Sequence, residues 1–343
     1  MKHVAIDLGG RESQICIRHA DGTIVEEKRY PTKKLEKLMT SWERSRVIVE
    51  TSAEAFRIAD AAKMAGHEVR VVPATLVRTL GVGARGVKND ERDAQTLSQV
   101  SCRIDLPSVH IPSTVSREFK SLCGSREVLV ETRTKLINNV RGWLRTQLWQ
   151  VRTGATSSFP DRVRAHGKAH HHDLPEHVER QLQAISSVNE LIKAADKQVL
   201  QIAGEQPVCR KLMTVPGVGP VTAVRFLAAL DKVERFPNAH ALQSYLGLTP
   251  GENSSSERQR RTGITKAGPA PLRRVLVQAA LSAIRTRPAD PMVIWATQIA
   301  SRRGKFIAVV ALARKIAGIL FALWRDGTTY RSSKSARLAE PPA

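Results

Sequence analysis

Four carboxylates carry the chemistry that this sequence offers most directly. Asp90 and Asp93 stand three residues apart in Lys88-Asn-Asp-Glu-Arg-Asp-Ala94, and on a helix such a pair shares one face. An acidic first turn also suits the positive end of the helix dipole. Ala94, Leu97 and Val100 continue at helical spacing, so a well-capped surface helix accounts for the pair with no chemistry at all. Two further acids tilt the reading. Asp7 closes the apolar run Val4-Ala-Ile and Glu50 closes Val47-Ile-Val, and both runs read as strands. Four carboxylates gathered by one sheet and one helix could hold divalent cations through hard oxygen donors.

The elements that must position these acids follow from the surrounding pattern. Strands are predicted over 4–10, 14–19 and 23–29, the last two joined across Asp21-Gly22, a strong hairpin signal. A helical stripe of Leu35, Leu38, Met39 and Trp42 precedes a strand over 46–50. A helix over 54–65 stops at Gly66, and a strand over 68–72 is closed by Pro73. A β-meander followed by alternating helices and strands predicts a mixed sheet flanked by helices, which is the layout of an RNase H-like domain. In that layout the first strand and the strand after the first helix lie parallel and adjacent. Asp7 and Glu50 then adjoin at the carboxyl edge, where ligands gather, and the helix bearing Asp90 and Asp93 packs across it.

Beyond residue 116 the periodicity becomes long-helical, through Phe119, Leu122, Leu129, Leu136, Val140, Leu144 and Leu148. A polar loop is expected over 153–173 and a second long helix over 175–202. Together they read as an antiparallel helical hairpin that spaces domains or dimerises. His170-His171-His172 is assigned to a solvated loop, because three adjacent histidines cannot all face one metal on regular structure. Pro216-Gly-Val-Gly-Pro220 then separates two helices in a helix-hairpin-helix pattern. Gly217 and Gly219 would let backbone amides approach a phosphate at a helix N-terminus; a tight turn chosen for packing is the alternative. After Gly247-Leu-Thr-Pro250 come Ser254, Ser255 and Ser256, and then Arg258, Arg260, Arg261, Lys266, Arg273 and Arg274 with no acid among them. That stretch reads either as a disordered basic loop or as a nucleic-acid contact.

Composition narrows the partner. The chain of 343 residues has a formal charge of +22, far beyond what solubility needs, which points to a polyanion and first to nucleic acid. A membrane is disfavoured: no apolar run is read as reaching the roughly 18 residues that span a bilayer, since Arg314 and Lys315 interrupt 307–323. The N-terminus enters a strand with no signal-peptide layout. The 4 cysteines are scattered without CxxC spacing, so neither zinc nor a disulfide framework is indicated and a cytoplasmic setting fits. The expected domains are a DEDD domain over 1–110, a helical hairpin over 111–206, a mainly α domain over 207–330 and a disordered tail over 331–343.

Asp7 in Ala-Ile-Asp-Leu, Glu50 in Ile-Val-Glu-Thr, the 88–94 stretch, Pro216-Gly-Val-Gly, Gly247-Leu-Thr-Pro250, and Gly263-Ile-Thr-Lys-Ala-Gly268 with Leu272-Arg-Arg274 stand in a specific order. In that order the chain resembles the bridge-RNA-guided DEDD recombinases of bacterial insertion sequences, which join a RuvC-like domain to a serine-bearing transposase domain. The resemblance implies that Asp7, Glu50, Asp90 and Asp93 form a tetrad coordinating Mg²⁺, with Mn²⁺ a possible substitute. It implies a nucleophilic serine between the Leu-Thr-Pro and Lys-Ala-Gly landmarks. Relatives usually carry Ser-Gly there; Ser256 stands in the glycine's place, which selects Ser255. The same resemblance implies donor and target double-stranded DNA, a structured noncoding guide RNA, and a homo-oligomer that assembles from dimer to tetramer. Two other readings stay open: a RuvC-like nuclease or Holliday-junction resolvase that uses water as nucleophile, and a nucleic-acid-binding protein without activity. Asp7-Leu-Gly-Gly10 as the phosphate loop of an actin-like ATPase lacks a second nucleotide motif.

Overall fold

Short apolar runs, buried on both faces in the first, second and fourth strands, give a sheet of five strands within the first 72 residues, in the spatial order third, second, first, fourth, fifth. The computed structural model describes residues 1–79, 90–252 and 261–332, with backbone alone at 78, 79, 90, 91, 252 and 261. The strands are β1 (Lys2–Asp7), β2 (Glu12–Arg18), β3 (Ile24–Pro31), β4 (Ser45–Glu50) and β5 (Glu68–Val72). β1 to β3 form the expected antiparallel meander, and β4 and β5 run parallel to β1. At the β2–β3 turn, Asp21 Oδ1 accepts from the Thr23 amide at 2.8 Å. The same aspartate's carboxyl is held below its usual range, first by that amide and then by the Thr23 hydroxyl.

Helices cover both faces of this sheet. α1 (Leu35–Met39) and α2 (Ala55–Met64) seal one face, where Leu35, Met39, Ile58 and Ala62 pack on Val4, Ile6, Val47, Val49 and Val71. α3 (Ala74–Thr79) and α4 (Asp90–Arg103) belong to the other, where Val77 and Leu97 pack on Ala5, Ile48 and Val72. Mixed α/β structure followed by helices is the architecture the sequence leads one to expect.

The chain divides into two compact units, Met1–Pro112 and Ser113–Ala343. The second opens with α5 (Thr114–Thr146), α6 (Phe159–Ala169) and α7 (Glu176–Glu205). α5 and α7 pack together as a hairpin whose far end buries Ile137, Val140 and Leu144 against Val178, Leu182 and Ile185. α6 corrects the polar loop expected there. Its Phe159, Val163 and Gly167 are buried at four-residue spacing, a stripe diluted in the sequence by the arginines and histidines between them. His170, His171 and His172 follow α6 and are exposed.

The near ends of the long helices enter the core of the second unit. Cys123, Val199 and Ala203 pack there with α8 (Pro207–Leu212), α9 (Pro220–Leu230), α10 (Ala239–Tyr245), α11 (Ala270–Thr286), α12 (Pro291–Arg303) and α13 (Lys305–Asp326). A short two-stranded sheet, β6 (Pro250–Glu252) and β7 (Arg261–Ile264), lies between α10 and α11 in sequence. α13 also corrects an expectation: its 22 residues contain an 18-residue window with a mean hydropathy of 2.2, long and apolar enough to cross a membrane. Arg314 and Lys315 do not interrupt it, because Arg314 Nε donates to Gln243 at 2.9 Å and Lys315 Nζ sits 4.4 Å from the Trp295 ring centre. Here α13 is a core helix, burying nine side chains from Ala308 to Leu323.

Candidate active site

Strand register fixes where two of the four acids stand. Ile6 pairs with Val49 in parallel, so Asp7 and Glu50 are the next neighbours along adjacent strands about 4.8 Å apart. Alternation then assigns the face. His3 and Ala5 point to the α4 side, and Asp7 continues that row; Ile48 does the same, and Glu50 continues its row beside Val72. Both acids are half-buried.

The third acid arrives on α4, whose position is set by side-chain hydrogen bonds to the sheet. His3 Nδ1 and Ser101 Oγ are 2.8 Å apart, Arg18 Nε donates to Ser98 Oγ at 2.9 Å, and Ser98 Oγ donates to Cys16 Sγ at 3.1 Å. Because Cys16 is paired with Ala5, moving toward the start of α4 means moving toward the carboxyl end of β1. Asp93 precedes Ser101 by eight residues, or about 12 Å of helix. Asp7 follows His3 by four residues, or about 13 Å of strand. The first turn of α4 therefore lies level with Asp7 and Glu50. Asp93 is only 8% exposed, and a buried carboxylate requires compensating partners. Asp7, Glu50 and Asp93 are all engaged by neighbouring groups. Asp90 opens α4, and its side chain lies outside the described residues.

These acids offer oxygen donors only, which suits a hard divalent cation such as Mg²⁺ or Mn²⁺. They share an edge without being drawn around one point: among the described residues, no group of three or more His, Cys, Asp or Glu side chains is arranged to hold a metal ion. Cysteine chemistry has no place here. All four thiols are free, and Cys209, the most perturbed, is pushed up to about 12 by burial, with Cys123 adding to it.

The three serines fall between β6 and β7 in sequence, strands that pair Pro250 with Ile264 and Glu252 with Arg261. Ser254, Ser255, Ser256, Arg258 and Arg260 lie outside the described residues, as does the side chain of Arg261. The base of the hairpin is closed tightly. The Thr265 amide donates to Thr249 O at 3.0 Å and the Lys266 amide to Gly247 O at 3.1 Å. Gly247 and Gly268 have φ of +65° and +71°, and a Cβ on either would lie 2.2 Å from Ala267 O or 1.9 Å from Tyr245 O. Only glycine permits that backbone crossing. Arg273 Nη1 staples it, donating to Leu246 O at 2.9 Å and Ala267 O at 2.8 Å.

The other contact residues expected from the sequence divide clearly. Lys266 is exposed. Arg274 is engaged with Glu127 and Glu131 on α5, and Arg225 pairs with the same Glu127 at 2.8 Å. Gly217 has a packing reason, since its Cβ would strike Ala279 O of α11 at 2.1 Å, whereas Gly219 faces open space. The turn and α11 line a cleft of about 450 Å³ that includes Ser282, Thr286 and Arg287. The internal role of Arg273 and the Glu127 network escaped the sequence reading. For Arg225 and Arg274 the partners lie more than a hundred residues away in sequence and leave no local signal, while Arg273 reaches backbone carbonyls, which no residue type marks.

Comparison with known proteins adds to this geometry. Residues 4–148 match a family described as Transposase, of the DEDD IS110 type, and residues 209–292 match the Transposase IS116/IS110/IS902 family. The chain is 28% identical over 250 residues to a transposase for insertion sequence element IS1111A of Coxiella burnetii, covering 71% of this chain and 68% of that protein. It is 29% identical over 276 residues to a probable family 20 transposase of Pseudomonas aeruginosa, covering 78% and 80%. It is 25% identical over 341 residues to a transposase for insertion sequence element IS1328 of Yersinia enterocolitica, covering 95% and 98%.

Proposed function

Since the chain belongs to the IS110/IS116 family of insertion-sequence transposases and carries its DEDD transposase domain, we propose that it recombines DNA through a covalent phosphoserine intermediate under RNA guidance. The enzyme is a DNA transposase, and its DEDD domain points to dependence on a divalent metal. The finer reading assigns an RNase H-like fold to the first unit and the roles of cation ligands to Asp7, Glu50, Asp90 and Asp93. The observation that carries it is the edge common to Asp7, Glu50 and the first turn of α4.

Ser255 Oγ attacks the scissile phosphorus and forms a new P–O bond while its proton passes to solvent or a nearby base. The bond from phosphorus to the leaving deoxyribose oxygen breaks, and that oxygen is protonated to a hydroxyl. The phosphodiester is conserved as a phosphoserine ester, so attack by a second strand's hydroxyl restores DNA without ATP. Arg258, Arg260 and Arg261 neutralise charge that develops on the phosphoryl oxygens. A bound Mg²⁺ supplies further neutralisation of the scissile phosphate. Lys266 and the Gly217–Gly219 turn contact phosphates along the duplex, and base choice falls to a structured guide RNA, so the protein needs mainly backbone contacts. The acids and the serine come from different subunits of a tetramer assembled from dimers, working in the cytoplasm at the nucleoid.

The test is adduct trapping. Incubating the protein with labelled duplex DNA, guide RNA and Mg²⁺ should yield a covalent complex that survives denaturation and is lost in Ser255→Ala. Adduct that persists in the single alanine variants of Ser254, Ser255 and Ser256 rules the serine mechanism out. Cut ends with a free phosphate and no adduct would instead establish water as the nucleophile.

A further inference from the structure

The turn between α12 and α13 is exposed without a break from Ser301 to Ile307. Within it Phe306 is 86% exposed and Ile307 49% exposed, while Ala308 and Val309 immediately after are buried. The turn has a firm base. The Gly304 amide donates to Ala300 O at 3.0 Å, the Ala308 amide to Gly304 O at 3.2 Å, and Met292, Val293 and Ala296 anchor α12 in the core. A benzyl side chain is thus held outward by well-packed helices, although ordinary burial would favour hiding it.

Its surroundings are cationic. Arg302, Arg303 and Lys305 flank Phe306, and no Asp or Glu occurs from Pro291 to Arg325. Among the described residues none of these three cations enters an ion pair; Arg302 Nε donates only to Gln298 O, at 3.3 Å. An aromatic ring flanked by three cations, in a stretch of sequence that holds no acid, calls for a polyanionic partner with an apolar interior. The combination suits duplex DNA, where cations bind the phosphates and an apolar wedge enters between base steps, unstacking and kinking the helix.

We propose that Phe306 is a wedge that inserts into duplex DNA, with Arg302, Arg303 and Lys305 gripping the flanking phosphates. The site lies outside both segments that match the transposase family. The proposal takes its partner from the reading of the chain as a DNA recombinase and adds deformation of the duplex at a defined place.

The full-length protein can be titrated against a labelled duplex of about 30 base pairs and against the same duplex with one unpaired nucleotide, where unstacking is already made easier. Wild type should prefer the bulged duplex several-fold. Phe306→Ala should abolish that preference and weaken intact-duplex binding about five- to tenfold, and Phe306→Trp should retain both. Arg302→Gln with Arg303→Gln should weaken both duplexes equally and flatten the salt dependence. Phe306→Ala equal to wild type on both duplexes overturns the wedge and leaves the transposase reading intact. Unchanged DNA binding with an altered sedimentation profile makes Phe306 a contact between copies and likewise overturns it. Wild type that binds neither duplex sinks both readings together.

Discussion

At the sheet edge, Asp7 and Glu50 take their positions from strand register, whereas the stretch between Glu252 and Arg261 is bounded in sequence by a hairpin whose base is closed by Gly247, Gly268 and Arg273. The first arrangement is anchored by five strands and two covering layers. The second is described at its base, where those residues close the hairpin. Pleated geometry can fix an acid to within a fraction of a residue spacing, because a slip by one place would turn every side chain to the opposite face. A clamped hairpin instead fixes where a segment starts and ends. The difference suits the two proposed roles, cation ligands that must be preorganised and a nucleophile that must meet a phosphate carried on a large, separate substrate.

The largest expected effect tests the edge. Asp7→Asn and Glu50→Gln should each lower strand cleavage by at least about 10²–10³-fold, with duplex binding and the melting temperature nearly unchanged. A cleavage loss under tenfold with binding intact would break the contrast. Next comes the hairpin base: Gly268→Ala brings a Cβ to 1.9 Å from Tyr245 O at a φ of +71°. It should destabilise the second unit by about 3 kcal/mol or more, read from thermal or denaturant unfolding. Arg273→Ala should cost about 1–3 kcal/mol by leaving two carbonyls without their charged donor. Arg274→Ala, at an ion pair half exposed to solvent, should cost about 1 kcal/mol or less; equal losses for the two would show that the staple is not special.

The smallest effect sharpens the account of how α4 is held. His3, bonded to Ser101, is pushed below its ordinary value of 6.5, first by burial and then by Arg46. The folded state therefore resists protonation more than the unfolded chain does. This contribution to stability is complete above the ordinary histidine range and is lost as pH falls through 6.5 toward the lowered value. His3→Gln should remove that part of the pH dependence in chemical unfolding curves followed between neutral and mildly acidic pH.

Much of the first unit was legible because its signals are local. Short apolar runs gave the strands, Asp21-Gly22 gave the turn, and the parallel neighbourhood of Asp7 and Glu50 followed from a meander succeeded by a crossover helix. The second unit was legible in its long helices and less so elsewhere. α6 was hidden because its three-residue apolar stripe is sparse. Arg273 and Arg274 read as nucleic-acid contacts because Arg274's partner Glu127 is 147 residues away in sequence, and Arg273's partners, 27 and 6 residues away, are backbone carbonyls that no residue type announces. Counting Arg314 and Lys315 as breaks in α13 ignored that a long side chain can reach an amide or a ring beside an apolar helix. The segments bearing Asp90's carboxylate and the three serines fall outside the described residues, and there the sequence remains the stronger guide.

The nine side chains that α13 buries have a consequence for synthesis. It is the last of the described helices to leave the ribosome, so the apolar surfaces of α9, α10 and α11 must wait, uncovered, until translation has passed it. A copy shortened by a late frameshift would keep its acids and its serines and still fail to assemble the body that presents the serines. Integrity of α13 therefore acts as a check on the helices translated before it.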